Sequence, residues 1–221
     1  MSGIKYSLRQ ESTSFSIGTT NLRSSNGSLI DTNGCVALLV LSGFAVATIN
    51  FEKRILRKGD FVLLFYDSTF SMLSISAAFS VRYVSFAYHL IEEAIYKPLS
   101  INFWNTIYSN PVFRPNERNF KLLVEWWYQM EWVNNIKDYD YQEEILKNNI
   151  RNLLVATDIE IMNHVGDSLR NSHSHAWMLV NRFFRLLSSY CRETREVQFY
   201  ADKLSITSTY SVSYTHLTLP T

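Results

Sequence analysis

The strongest constraint on the fold is a change in the spacing of hydrophobic residues near Tyr88. Between Cys35 and Tyr88, apolar and polar residues alternate in short runs that glycine-containing turns interrupt. From His89 onward, the apolar residues recur every three or four positions. A period of two is typical of strands and a period near 3.6 is typical of helices. The sequence therefore predicts an α+β fold, with a β-rich barrel or sandwich followed by helices.

Two glycine turns divide the β-rich region. Ser42-Gly43 separates the runs CVALLVL and FAVATINF, which indicates two strands joined by a tight turn. Lys58-Gly59-Asp60 forms a second turn before another β-rich run. The polar segment before residue 35 contains two candidate edge strands, around Phe15–Ile17 and Leu29–Ile30.

Four helices are predicted between the strands and the polar linker, and a further helix, AWMLVNRFFRLLSSYC, after the linker. YHLIEEAIY and INFWNTIY form two short ones, the second ending near Asn110-Pro111. Two long ones span 116–136 and about 141–164, and the short connection KDYDY predicts that they pack antiparallel. Their apolar faces consist of Phe120, Leu123, Trp126, Trp127, Met130 and Val133 on the first and Ile145, Leu146, Ile150, Leu153, Leu154 and Ile161 on the second.

An aromatic set on the first long helix, Trp126, Trp127, Tyr128 and Trp132, has two interpretations. It could form a surface for a ligand or a partner. Helical spacing favours packing in the core instead.

Charge, cysteine content and hydropathy exclude several classes of protein. The net charge of +1 provides no molecule-wide attraction for nucleic acid or anionic lipid. Cys35 and Cys191 are interpreted as two reduced thiols and not as a disulfide framework. The longest apolar run, Cys35–Ile49, is shorter than the ~20 residues of a membrane span, and no signal peptide is recognised. A cytoplasmic protein without a membrane partner is expected.

Candidate catalytic and metal sites are weak. The strongest candidate for a metal site consists of His173 and His175, with His164 as a third ligand. No cysteine or carboxylate is placed to complete the coordination shell, so a solvated linker is the favoured interpretation. Glu92 and Glu93 fall on different helix faces, so they do not form a carboxylate pair. Neither a phosphate-binding loop nor a nucleophile elbow is recognised, so we expect no enzyme activity, no metal and no cofactor.

The segment from Val197 to Tyr210 predicts two short helices that meet at a corner. Val197, Tyr200, Ala201 and Leu204 would face inward, Ala201 providing a small contact, while Leu204 and Ile206 seal the corner. Thr207 would cap the second helix, whose first residues enter the major groove in motifs of this kind. The predicted DNA-binding residues are Ala201, Lys203, Thr207, Ser208, Thr209 and Tyr210.

This segment, ADKLSITSTY, resembles the first helix-turn-helix of AraC-type transcription regulators. The fixed positions of that family's pattern are filled by Ala201, Leu204, Ser205, Ile206, Thr207 and Tyr210. The preceding FFRLLSSYCRETREVQFYADKL is similar to regulators from gut bacteria of the Bacteroidetes type. The run LVLSGFAVATINFEKRILRKGDFVLLF resembles the cupin-like sensor half of such proteins, so that the resemblance covers about residues 30–210.

The resemblance implies a regulator whose sensor binds a small molecule and whose helices form a homodimer. Its partners would be promoter DNA, RNA polymerase and the unknown effector; it does not indicate which residues line the effector pocket. The implied domains are an N-terminal tail with edge strands (1–34), a cupin-like sensor (35–110), a helical pair for dimerisation (111–165), a linker (166–175), a truncated DNA-binding domain (176–210) and a non-native tail (211–221).

The last residues depart from the family pattern. After Tyr210 the family continues into a recognition helix, whereas this chain reads SVSYTHLTLPT. The codons GTC TCT TAT ACA CAT CTG for Val-Ser-Tyr-Thr-His-Leu look like a transposon-derived sequencing adapter. We therefore expect residues 212–221, and with them Ser211 in the longer version, to be read-through from an adapter. The alternative is a genuine, divergent C-terminus.

Two other functions compete with the regulator. A cupin-fold ligand-binding or dimerisation module would lack DNA binding altogether. A cupin enzyme is disfavoured, because metal-binding cupins carry His-x-His and a glutamate on strands that contain no histidine here.

Overall fold

The computed structural model describes residues 6–25, 27–66, 68–168, 186, 190, 194 and 196–204. These residues fall into two compact units. The first unit is the described part of Met1–Leu99 and Phe103–Asp158, and the second is the described part of Ser100–Asn102 and Ile159–Thr221. The first unit contains eight strands in two sheets and several helices, so the predicted α+β class is confirmed.

All the paired strands run antiparallel, and they form one large and one small sheet. The large sheet has the order β1-β7-β2-β5-β8 and the small one β4-β3-β6. The strand bounds are β1 Phe15–Thr20, β2 Cys35–Ser42, β3 Phe44–Ile49, β4 Glu52–Arg57, β5 Phe61–Phe65, β6 Phe70–Ile75, β7 Ser80–Phe86 and β8 Val112–Phe113. β1 is an edge strand, as predicted, whereas Leu29 and Ile30 form only isolated bridges.

The turn at Gly43 joins two strands that do not pair with each other. β2 pairs with β5 and β7 in the large sheet, and β3 pairs with β4 and β6 in the small one. Gly43 has a φ of 67°, and a Cβ there would lie 2.5 Å from the Phe79 nitrogen. The left-handed backbone and the close approach of another chain segment both require glycine at this position. The chain passes from the large sheet to the small sheet at this turn.

The hydrophobic core of the β-rich region lies between the two sheets. Alternate residues of each strand point inward, as the pleat of a strand dictates. The core includes Val36, Leu38, Val40, Val62, Leu64 and Val81 from the large sheet and Ala45, Ala47, Ile49, Leu56, Phe70 and Met72 from the small one.

Five α-helices and one short 3-10 helix, Arg23–Ser25, are bounded in the described residues. The α-helices are α1 Tyr88–Ala94, α2 Ile101–Ser109, α3 Glu117–Asn134, α4 Tyr139–Ser168 and α5 Val197–Leu204. The Asn116 side chain caps α3 by accepting a hydrogen bond of 2.9 Å from the Asn119 amide. The Gln142 side chain, early in α4, donates to the carbonyl oxygen of Val133 in the last turn of α3 and to that of Ile136 just beyond it. Trp126, in the middle of α3, donates to the Asn149 carbonyl oxygen, which is the pattern expected of antiparallel neighbours.

Aromatic side chains join the helices to the outer face of the large sheet. The Phe61 ring meets the Trp127 ring edge-on at 6.3 Å, and Phe86 meets Trp126 at 6.4 Å. The core interpretation of the aromatic set therefore holds for Trp126 and Trp127, which are 8% and 0% exposed. It is wrong for Tyr128 and Trp132, which are 51% and 60% exposed. The Tyr128 ring lies under the guanidinium of Arg82 in β7, 4.9 Å from the ring centroid.

Among the helices of the described residues, none is both long and apolar enough to cross a bilayer.

Candidate functional site

Helix α5 carries the two predicted DNA-binding residues that lie in the described part of the chain. The side chains of Tyr200, Ala201 and Leu204 are buried, and Ala201 is 0% exposed. Residues at i, i+1 and i+4 share one face of a helix, so these three form its inward stripe. The buried methyl group of Ala201 has the environment of the small contact residue that a helix corner requires.

The predicted inward face is wrong at one position. Val197 is 47% exposed, because it is the first residue of α5 and no described residue covers it. Ile206, Thr207, Ser208, Thr209 and Tyr210 lie outside the described residues. The predicted corner is therefore described only on its first helix.

Lys203 lies on the exposed side of α5 against two aromatic rings. Its ammonium nitrogen is 4.9 Å from the centroid of the Tyr190 ring and 5.2 Å from that of Phe199. The two rings meet edge-on at 5.3 Å. The two rings restrict the Lys203 side chain, while its ammonium group stays in contact with water. Lys203 therefore presents a positive charge at a fixed place on the surface of α5.

The segment before α5 is fixed by Thr194. The Tyr200 hydroxyl donates to the Thr194 carbonyl oxygen at 2.8 Å, and the Thr194 hydroxyl accepts from the Glu196 amide at 3.2 Å. The Thr194 amide in turn donates to the Tyr190 carbonyl oxygen at 2.9 Å. These bonds position α5 relative to the helical residue Tyr190. The sequence could not predict them, because each one involves a backbone atom.

In the first unit, a buried carboxylate ties the second glycine turn to the segment before α3. Asp60 is 0% exposed, and it accepts one hydrogen bond from the Arg57 amide at 2.8 Å and another from Arg114 Nε at 3.0 Å. The hydrogen bond to Asp60 raises the pKa of the largely exposed Arg114. The sequence indicated the Gly59-Asp60 turn but gave no sign that Arg114 would be its partner.

A charged cleft of about 380 Å³ lies between α1 and α4. Lys147 lies in it, with its ammonium 2.8 Å from a Glu143 oxygen and 2.5 Å from a Glu93 oxygen. The hydrogen bond from Lys147 lowers the pKa of Glu143, and the bonds to both carboxylates raise the pKa of Lys147 above its usual value. Glu92 accepts instead from the Tyr88 hydroxyl, which agrees with the prediction that Glu92 and Glu93 face different ways.

The histidine metal hypothesis falls mostly outside the described residues. His173 and His175 are not among them, and nothing is described of the His164 side chain. Across the parts of the chain that are described, no three histidine, cysteine or carboxylate side chains converge as metal ligands would. His89 is exposed at the start of α1.

No family model matches the chain, and no curated protein matches it. Several solved structures resemble it over most of its length. An apo variant of ToxT from Vibrio cholerae strain SCE256 is 13% identical with a TM-score of 0.44, covering 94% of this chain and 76% of that chain. Wild-type ToxT of the same strain with bound unsaturated fatty acid is 14% identical with a TM-score of 0.37, covering 96% and 94%. The AraC-like transcriptional activator CuxR is 16% identical with a TM-score of 0.35, covering 94% and 69%. Values this low assign the chain to no family.

Proposed function

We propose that the chain is an AraC-type, DNA-binding transcription regulator that responds to a small molecule and acts in the cytoplasm as a homodimer. In this proposal residues 35–110 are the cupin-like sensor, 111–165 the dimerisation helices, 166–175 the linker and 176–210 the start of the DNA-binding domain. Promoter DNA, RNA polymerase and the effector are its partners. It is not an enzyme and needs no cofactor.

One observation supports the proposal most directly: α5 buries Ala201 and Leu204, two of the six residues that fill the fixed positions of the AraC pattern. A helix corner needs a small residue where the helices cross and an apolar residue beside it. Lys203 then faces outward, where a phosphate could lie. Thr207, Ser208, Thr209 and Tyr210 would begin the helix that enters the major groove.

The sensor part rests on the two sheets packed around an apolar core. A ligand that binds one arrangement of the dimer better than another shifts the population toward it and so changes promoter occupancy. An unsaturated fatty acid, which one of the similar structures contains, is a reasonable first effector to test.

The decisive experiment restores the full reading frame. Genome-wide mapping of bound sites should show a discrete set of promoters, and Ala201→Trp should abolish their occupancy because it wedges the corner open. An exposed substitution on the same helix, Gln198→Ala, is the matched control. Uniform, sequence-independent occupancy by the restored protein would overturn the proposal.

We also propose that residues 211–221 are not native. The departure from the family pattern after Tyr210 supports this. Sequencing the source gene beyond the Tyr210 codon tests it: a native stop codon directly after the Thr221 codon contradicts it.

The main alternative is a ligand-binding or dimerisation module without DNA binding. It gains support if small-molecule screening shifts the melting temperature while the restored protein binds no promoter. A cupin enzyme is tested by metal analysis of the purified protein, since stoichiometric metal would favour it.

A further inference from the structure

The small sheet has an unpaired edge at β4. β4 pairs only with β3, and it is the first strand in the order β4-β3-β6. Ile49 and Glu52 flank the two-residue turn between these strands, so the residues that bond to β3 are Glu52, Arg54 and Leu56. The backbone groups of the intervening residues point away from the sheet.

Two of these outward residues leave their backbone groups free. The Arg57 amide and carbonyl are used in the turn, by the Asp60 carboxylate and the Asp60 amide. In the described part of the chain, the amides and carbonyls of Lys53 and Ile55 have no partner. An unpaired edge of this kind is a template for another strand.

The outer face beside this edge is apolar. Phe44, Ile55 and Leu73 are 57%, 51% and 52% exposed. Phe44 and Ile55, together with Val46, line a groove of about 540 Å³ that also contains Arg57 and Lys58. Apolar side chains that are exposed together on one face are typical of a surface that binds a partner.

The same edge is positively charged. Lys53, Arg57 and Lys58 are exposed, and none of them forms an ion pair with another described residue. The Lys53, Ile55 and Arg57 side chains lie on one face of β4 at successive positions of the pleat. The edge therefore presents a cation, an apolar side chain and a second cation in a row.

We propose that the edge of β4 binds an extended segment of a partner protein that adds one strand to the small sheet. Residues directly opposite each other on paired strands have their Cβ atoms about 5 Å apart. The bound segment therefore carries an apolar residue opposite Ile55 and acidic residues opposite Lys53 and Arg57. Its pattern is acidic, any residue, apolar, any residue, acidic.

In the register centred on Ile55, charge disfavours a second copy of β4 as the occupant. Antiparallel pairing about Ile55 would place Lys53 of one copy opposite Arg57 of the other, and like charges in that position are destabilising. The chain itself contains no segment with the acidic-x-apolar-x-acidic pattern. A lipid surface would match the charge and the apolar face, but it offers no ladder of hydrogen bonds to Lys53 and Ile55.

The test uses the full chain and the peptide TETVTET, which carries fluorescein on its N-terminal amine and an amide at its C-terminus. Fluorescence anisotropy is expected to show saturable binding, and amide exchange followed by NMR should slow at Lys53 and Ile55. A peptide N-methylated at the central valine loses one ladder hydrogen bond and should bind about tenfold more weakly. Equal binding of both peptides, or unchanged amide exchange, overturns the proposal.

Charge reversal provides the second arm. The double variant Lys53→Glu with Arg57→Glu should lose the acidic peptide and bind TKTVTKT instead, while Glu52→Gln serves as the neutral control on the same strand. Circular dichroism checks that the variants fold, and the N-methyl comparison needs no variant. Binding to vesicles of equimolar phosphatidylcholine and phosphatidylglycerol without binding to TETVTET overturns the proposal in favour of a lipid surface.

Discussion

At the scale of single residues, two glycines with similar backbone angles face different constraints. Gly34 has a φ of 101°, and a Cβ there would lie 2.0 Å from the Phe86 carbonyl oxygen. Gly59 has a φ of 88°, but a Cβ there would meet open space. Gly34 is therefore required by space and conformation, and Gly59 by conformation alone.

Substitution by alanine should separate these two effects. We expect Gly59→Ala to lower the free energy of unfolding by about 1–2 kcal/mol, the cost of a left-handed L-residue. Gly34→Ala should lower it by about 3 kcal/mol or more, because backbone atoms must also move. Urea denaturation measures both, and equal losses would contradict the contact at Gly34.

The turn between β3 and β4 carries a strained residue. Asn50 and Phe51 both have positive φ, 48° and 65°, and Phe51 is 83% exposed. Two-residue hairpin turns in which both residues have positive φ favour the sequence Asn-Gly. Phe51→Gly should therefore raise the free energy of unfolding by about 0.5–1 kcal/mol, measured in urea, since relief of strain exceeds the added entropy of the unfolded chain. Phe51→Ala, which keeps the strain, is the control and should give no such gain.

At the scale of elements, the ion pair between Glu143 and Lys147 on adjacent turns of α4 predicts a pH dependence. The lowered pKa of Glu143 means that its carboxylate stabilises the fold above the unfolded-state pKa of about 4.3. That contribution is lost as the pH falls through the lower folded-state pKa. Because the pKa of Lys147 is raised, its ammonium loses its charge only in strongly alkaline solution. Lys147 therefore does not contribute to the change of stability at acidic pH.

Unfolding should therefore be followed between about pH 6 and pH 3. Glu143→Gln should flatten the loss of stability over this range, whereas the exposed Glu144→Gln should leave it unchanged. An identical slope in the native chain and in Glu143→Gln would show that this pair contributes nothing.

The Asp60 link joins a turn of the β-rich region to the segment before α3. Asp60→Ala removes the acceptor of the Arg57 amide and should lower the free energy of unfolding by about 2–3 kcal/mol. Arg114→Gln should also destabilise, because it leaves a buried carboxylate with one donor fewer. A double-mutant cycle in urea should show non-additivity, and simple additivity would mean that the two side chains do not interact.

Elements differed in how far the sequence could predict them. Glycine turns and alternating residues located β2, β3 and β5 but not β4, and helical spacing located α3 and α4 to within a few residues. The pairing of β2 and β3 with different sheets could not be predicted, because it depends on the contact of Gly43 with Phe79, far away in the sequence. Tyr128 and Trp132 were misplaced because residue type alone does not show which side of α3 meets the sheet.

At the scale of the whole molecule, a net charge of +1 predicts weak association with DNA. We expect the chain as it stands to show no sequence preference in gel-shift assays, and any residual binding should fall as salt rises. Nanomolar, sequence-dependent affinity would contradict this expectation. A scrambled duplex of the same length is the control.

The path of the chain between its two sheets limits how this protein can be divided. The chain changes sheet between β2 and β3, between β4 and β5, between β5 and β6 and again between β6 and β7. No contiguous piece of the β-rich region therefore holds one complete sheet without strands of the other. A gene fragment cut inside this region would encode strands without their neighbours, so recombination can exchange the region only as a whole.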